Sequence, residues 1–328
     1  MKRFFAILIA LLLCGCAPKA EVLPEQTTAP ETTETSPVMT TVAPEVIQEE
    51  AAALAEAPAP PVSIVLEAEP SGILEERTED AVVDYSHSDD GYVMVRFLSP
   101  TDKRLKTQVK GPKTTYTYNL PVDEWTVFPL SDGDGGYKVV VYKNVSGTKY
   151  ATVMSASFEV VLTDEFAPFL RPNQYVNYFD SPNTMDMGAQ LCMGLEHPLE
   201  KVAAVYDYVV ENLSYDYDRA ATVKSGYLPV LDQVLEEKKG ICFDYAALMT
   251  AMLRSQDVPC KLVVGYAGKT YHAWISVWTE DNGWVDGAIF FDGHVWKRMD
   301  PTFASSQARS EEIMDFIENG NYKVKYLY

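Results

Sequence analysis

Three residues in this sequence have the types and the spacing for shared acyl-transfer chemistry: Cys242, His272 and Asp300. A thiol attacks a carbonyl carbon as its thiolate, and the unpaired N–H groups at a helix N-terminus favour that anion. Cys242 precedes Phe243-Asp244-Tyr245-Ala246-Ala247-Leu248-Met249, good helix formers that run on to Leu253, so it falls at or beside a helix start. A nucleophilic thiol also needs a base that accepts its proton and later returns it. His272 lies 30 residues on, at the start of a predicted strand. An imidazole needs a third group to fix its tautomer, and Asp300, 28 residues further, ends another predicted strand just before Pro301. Neighbouring antiparallel strands would set 272 and 300 side by side, with the helix end packed over them.

The elements that must position these residues begin near Asp164. Pro198 stands where the first helical residue would be, and Leu199, Val202, Tyr206, Val209 and Leu213 recur at three- and four-residue steps, predicting an amphipathic helix. A shorter helix from Pro229 is expected to stop at Gly240, just before the Cys242 helix. After Pro259 the pattern turns to strands, at Lys261–Ala267, Tyr271–Trp278, Gly283–Gly287 and Val295–Met299. A last helix is expected from Ser310 and a closing strand over Tyr322–Tyr328. Trp274, Trp278, Trp284 and Trp296 read as packing for this sheet.

Upstream, six Val-, Thr- and Tyr-rich segments alternate with period two: Tyr92–Leu98, Leu105–Lys110, Thr114–Asn119, Trp125–Pro129, Tyr137–Val145 and Tyr150–Val161. They predict a small β-sandwich of Ig-like type. Asp132-Gly133-Asp134-Gly135-Gly136 fails as a calcium loop, because Lys143 stands where a bidentate Glu is required. A hairpin turn is the expectation there.

Gly240-Ile241-Cys242-Phe243-Asp244-Tyr245-Ala246, Tyr271-His272-Ala273-Trp274 and Met299-Asp300-Pro301-Thr302 together resemble the transglutaminase-like superfamily, in its motif order and over about 190–305. The resemblance implies an α+β, papain-like core in which a helix bearing the cysteine packs on an antiparallel sheet. It implies that Cys242 forms a thioester, that His272 moves the proton to the leaving amine and that Asp300 orients His272. The acyl group then passes to water, as in a peptidase, or to an amine, as in cross-linking; the same residues serve both. The Cys242 amide would supply part of the oxyanion hole. Papain-type enzymes add a Gln shortly before the cysteine, but Glu236 is six residues upstream here. Gln233, Tyr217 and Tyr215 are the alternatives, with Tyr215 taken as the oxyanion candidate.

The N-terminus reads as an address. Lys2 and Arg3 precede an apolar run from Phe4 to Leu13, ten residues, too short to cross a hydrocarbon layer of about 30 Å. Leu13-Cys14-Gly15-Cys16 resembles the lipobox of bacterial lipoproteins, which implies cleavage before Cys16, lipidation of its sulfur and an exported, membrane-anchored protein. Residues 17–80 have no aromatic residue, and residues 21–80 hold fourteen acidic residues against Arg77 alone, so the stretch reads as a disordered, extended tether. The expected organisation is a signal peptide (1–15), tether (16–80), β-sandwich (81–163) and transglutaminase-like domain (164–328). The net charge of −20 argues against a nucleic-acid partner. No C-x-x-C, H-E-x-x-H or phosphate loop occurs, so no metal or cofactor is expected. Cys192 and Cys260 either pair in an oxidising compartment or stay as buried thiols. The expected partners are an extracellular protein or peptide substrate, cell-wall peptide included, and the membrane. The competing reading is a non-catalytic surface lipoprotein that uses the same domain to bind a wall or protein ligand.

Overall fold

Alternating side chains build two antiparallel sheets in the first half of the computed structural model, which describes residues 62–281, 283–286, 289–291, 296–298 and 322–328. The strands are β1 (Glu75–Arg77), β2 (Ala81–Asp84), β3 (Tyr92–Phe97), β4 (Leu105–Lys110), β5 (Thr115–Leu120), β6 (Thr126–Pro129), β7 (Gly135–Ser146) and β8 (Lys149–Val160). In β4, Leu105, Thr107 and Val109 are buried while Lys106, Gln108 and Lys110 stay partly exposed, the period of a half-buried strand. One sheet has the order β1-β2-β3-β6 and the other β5-β4-β7-β8. Their inner faces meet where the Tyr118 ring of β5 lies 4.6 Å from Phe128 of β6.

Two expectations for this half are corrected. The turn at Asp132–Gly136 joins β6 to β7, which lie in different sheets, so it is a crossover and not a hairpin. The Asp132 carboxylate fixes it by accepting from Lys113 N–H (2.9 Å), Thr114 N–H (2.6 Å) and Tyr116 hydroxyl (3.0 Å). The tether, expected through residue 80, ends earlier. Ile64 N–H donates to the Ser255 carbonyl at 2.8 Å, Ser63 hydroxyl to the Met185 carbonyl, and β1 pairs with β2. Main-chain pairing holds this stretch without the aromatic side chains whose absence suggested disorder.

The second half runs α1 (Pro182–Leu191), α2 (Pro198–Asn212), β9 (Ser214–Tyr215), α3 (Tyr217–Thr222), α4 (Leu231–Glu237), β10 (Lys239–Gly240), α5 (Cys242–Arg254), β11 (Cys260–Ala267), β12 (Thr270–Thr279), β13 (Gly283–Asp286), β14 (Ile289–Phe291), β15 (Trp296–Arg298) and β16 (Tyr322–Leu327). An antiparallel sheet of order β13-β12-β11-β16 carries α5, while β14 and β15 pair separately. The predicted stripe of α2 is the buried one, at Val202, Tyr206 and Val209. Buried from Asp244 to Arg254, α5 lies between the sheet and the helices α1, α2 and α4. The bare α-carbon of Gly188 lets α1 approach it, since a Cβ there would sit 3.1 Å from Met252 backbone. Trp274 is buried against Tyr322, while Trp278 and Trp284 pack around Phe166.

The far end of α5 is locked. Fully buried, Arg254 donates to the main-chain oxygens of Cys260 (2.9 Å), Arg171 (2.7 Å) and Tyr328 (2.7 Å). Burial pulls its guanidinium down to about 10. The Tyr328 ring in turn packs on Tyr116 and Tyr118 of β5, at 5.7 and 5.8 Å. Contacts thus run across the expected 163/164 boundary, and the described residues form one compact unit. Cys192 and Cys260 are free, buried thiols, each pushed by desolvation up to about 11.

Candidate active site

Cys242 is the first residue of α5, as expected, and Ile241 before it is extended. The helix start is built from behind. Two parallel main-chain links, Ser214 N–H to Lys238 carbonyl (2.9 Å) and Asp216 N–H to Gly240 carbonyl (2.8 Å), zip β9 to β10. That register sets Tyr215 opposite Gly240, two residues from the thiol. The preceding helix α4 stops at Lys238, which takes a left-handed conformation (φ 51°), and not at Gly240. Gly240 serves another need: a Cβ there would lie 2.7 Å from the Cβ of Asp244.

Asp244 itself is a buried carboxyl in the first turn of α5. It accepts from Ile241 N–H at 2.8 Å and from the Tyr227 hydroxyl at 2.7 Å, with Arg219 3.6 Å away. Burial pushes this carboxyl above the ordinary carboxylate range, opposed by those three donors. Burial and the neighbouring Asp244 both push the Tyr227 phenol up, so it stays protonated and donates. First-turn chemistry was legible for Asp244; its link to Tyr227 and Arg219 was not, because those partners lie 17 and 25 residues away with no periodic signal.

His272 is buried on β12 opposite Gly265 of β11, where the β11–β16 pairing shifts register. A side chain at 265 would meet the Lys323 backbone and the Trp274 ring, so glycine is what lets β16 pass. Cys242 and His272 line one cleft of about 610 Å³, together with Tyr215, Tyr227, Tyr271 and Lys325. The other oxyanion alternatives point elsewhere: Gln233 is tied to Glu237 at 2.6 Å on an exposed face, and Tyr217 is exposed and does not line the cleft. Asp300, the helix expected from Ser310 and Cys16 lie outside the described residues. Strand β15, the last described before Asp300, pairs with β14, whereas His272 pairs with β11 on a strand that β13 joins only over Ser276–Thr279.

A model of the transglutaminase-like superfamily matches residues 186–287, so this part of the chain is a transglutaminase-like domain, and it contains both Cys242 and His272. The chain is 26% identical over 118 residues to YebA, an uncharacterized protein of Bacillus subtilis (strain 168), covering 30% of this chain and 16% of that protein. It is 24% identical over 150 residues to a protein-glutamine gamma-glutamyltransferase of Pseudomonas aeruginosa PAO1, covering 41% of this chain and 20% of that one. The matches thus span a fifth or less of either relative. Among solved structures, the periplasmic domain of TgpA from Pseudomonas aeruginosa, bound to ethylmercury, aligns with a TM-score of 0.33 at 16% identity, over 76% of this chain and 80% of that one.

Proposed function

We propose that this chain is an exported, lipid-anchored enzyme that transfers acyl groups through a cysteine thioester. The observation that carries the reading is a helix-start thiol, Cys242, lining one cleft with the buried imidazole of His272. Cys242 Sγ adds to the carbonyl carbon of a carboxamide or peptide bond while its proton passes to His272. The C–N bond then breaks, His272 returns that proton to the departing nitrogen, and a thioester remains. Water or an amine attacks the thioester next; His272 takes the attacker's proton and gives it to the leaving sulfur. Asp300 orients the imidazole.

Charge on the carbonyl oxygen is met by the Cys242 amide, which has no acceptor within its helix, and by the phenol of Tyr215, which lines the same cleft. Cys16 carries the lipid anchor, and the proline-rich, acidic stretch after it spaces the folded part from the membrane. The β1–β8 sheets form an Ig-like sandwich that supports the cleft through Tyr116 and Tyr118. Substrates are extracellular proteins or peptides, cell-wall peptide included. The name of the Pseudomonas relative supports offering an amine as acceptor alongside water.

The test is iodoacetamide labelling of the full-length chain across pH, with mass spectrometry separating the cysteines. Fast, selective labelling of Cys242, slowed in His272→Ala, is expected, with Cys192 and Cys260 silent until unfolding. Labelling of Cys242 at the rate of the denatured chain, indifferent to His272→Ala, overturns the reading.

A further inference from the structure

A second cleft, of about 630 Å³, opens where β5 and β6 meet residues 172–180. Its charged lining among the described residues is wholly acidic: Glu67, Glu69, Glu124 and Asp180, all exposed. Trp125 and Phe179 lie among these carboxylates, and Phe179 is 53% exposed. Aromatic faces beside carboxylates suit a cation on an aliphatic stem, which lays its methylenes on a ring and its charge among the acids.

The floor of the cleft is also chemically incomplete. Asn173, 3% exposed, and Gln174 both line it, and each leaves one buried polar atom without a partner: Asn173 Nδ2 and Gln174 Oε1. Main-chain partners fix both amide orientations. Asn173 Oδ1 accepts from Tyr175 N–H (2.9 Å) and Val176 N–H (3.2 Å), leaving its NH₂ as donor. Gln174 Nε2 donates to the Asn119 carbonyl at 2.9 Å, leaving its oxygen as acceptor. An unmet donor and an unmet acceptor on consecutive residues match the C=O and N–H of a peptide.

We propose that this cleft docks a basic peptide segment, a Lys or Arg side chain lying over Trp125 and Phe179 with its charge among the four carboxylates. The chain's own stretch over 17–61 is excluded as occupant by its charge, eight acids against Lys19 alone. The docking site shares a wall with the Cys242 cleft. Gln174 lines one and Tyr175 the other, and Asn119 Nδ2 holds Gly226 of the Cys242 cleft through its carbonyl at 3.2 Å. A basic substrate held here would present neighbouring residues to the thiol.

Binding can be read apart from any chemistry, in full-length Cys242→Ala protein, by tryptophan fluorescence. The probes are acetyl-Ala-Lys-Ala-Lys-Ala-amide, its Glu counterpart and spermidine. The Lys peptide should bind saturably, and the triple variant Glu67→Gln/Glu124→Gln/Asp180→Asn should weaken it about tenfold, at several tenths of the tenfold energy per exposed charge. Phe179→Ala should weaken it separately. Equal binding of the Glu peptide, or an unchanged affinity in the triple variant, overturns the proposal. Spermidine binding as tightly as the peptide overturns it too, by reducing the cleft to a bare cation patch.

Discussion

The two ends of α5 are made in opposite ways. At the start, Cys242 opens onto a cleft, and the turn beneath it is held by one buried carboxyl, Asp244, with a tyrosine, an arginine and a main-chain amide. At the finish, Arg254 is fully buried and its guanidinium is spent on three main-chain oxygens from three separate parts of the chain. A cation also suits the partial negative charge of a helix C-terminus. The lesson is a division of labour: the closed end fixes the helix so that the open end can keep a reactive atom uncovered. Position comes from one end and chemistry from the other.

That division can be broken from either side. Arg254→Ala should cost the most stability, about 3–5 kcal/mol, because three buried oxygens lose their donor together. Urea unfolding checks it, and well below the melting temperature the rate of Cys242 alkylation should stay near the parent's. A variant that kept its stability would show that the far end is not the anchor. Tyr215→Phe should do the reverse, leaving the unfolding curve in place while lowering turnover by about 10²–10³. Turnover within threefold of the parent would remove Tyr215 from the reaction. Asp244→Asn should have the smallest effect, and it should depend on pH. Burial raises the folded carboxyl above its unfolded value. Its contribution is therefore full below the ordinary Asp value near 3.9 and fades as pH rises through the folded value. The parent should lose stability relative to Asp244→Asn as pH rises from the ordinary Asp value through the raised folded one, in paired urea titrations; a constant difference would contradict the raised carboxyl.

Much of this was legible locally. The burial alternation of β4, the Pro198 start of α2 and the placing of Cys242 at a helix start all follow from patterns within about ten residues. What escaped was made by partners far apart in the chain. Residues 62–80 lack aromatic side chains, yet main-chain bonds to Ser255 and to β2 order them. Gly240 looked like a helix stop because glycine usually serves there, whereas its bare α-carbon is needed by Asp244. Gln233, the nearest amide before the thiol, lost its candidacy to helix phase: it sits on the outward face of α4, next to Glu237.

The strand β16 carries a consequence in time. Lys325, Tyr326 and Tyr328 form part of the wall facing Cys242, and Tyr328 also receives Arg254 and packs on Tyr116 and Tyr118. A chain is made from its N-terminus, so these residues leave the ribosome after every other described part of the cleft exists. The thiol therefore acquires this wall only after some eighty further residues have been made, and a product stopped before β16 carries Cys242 without it.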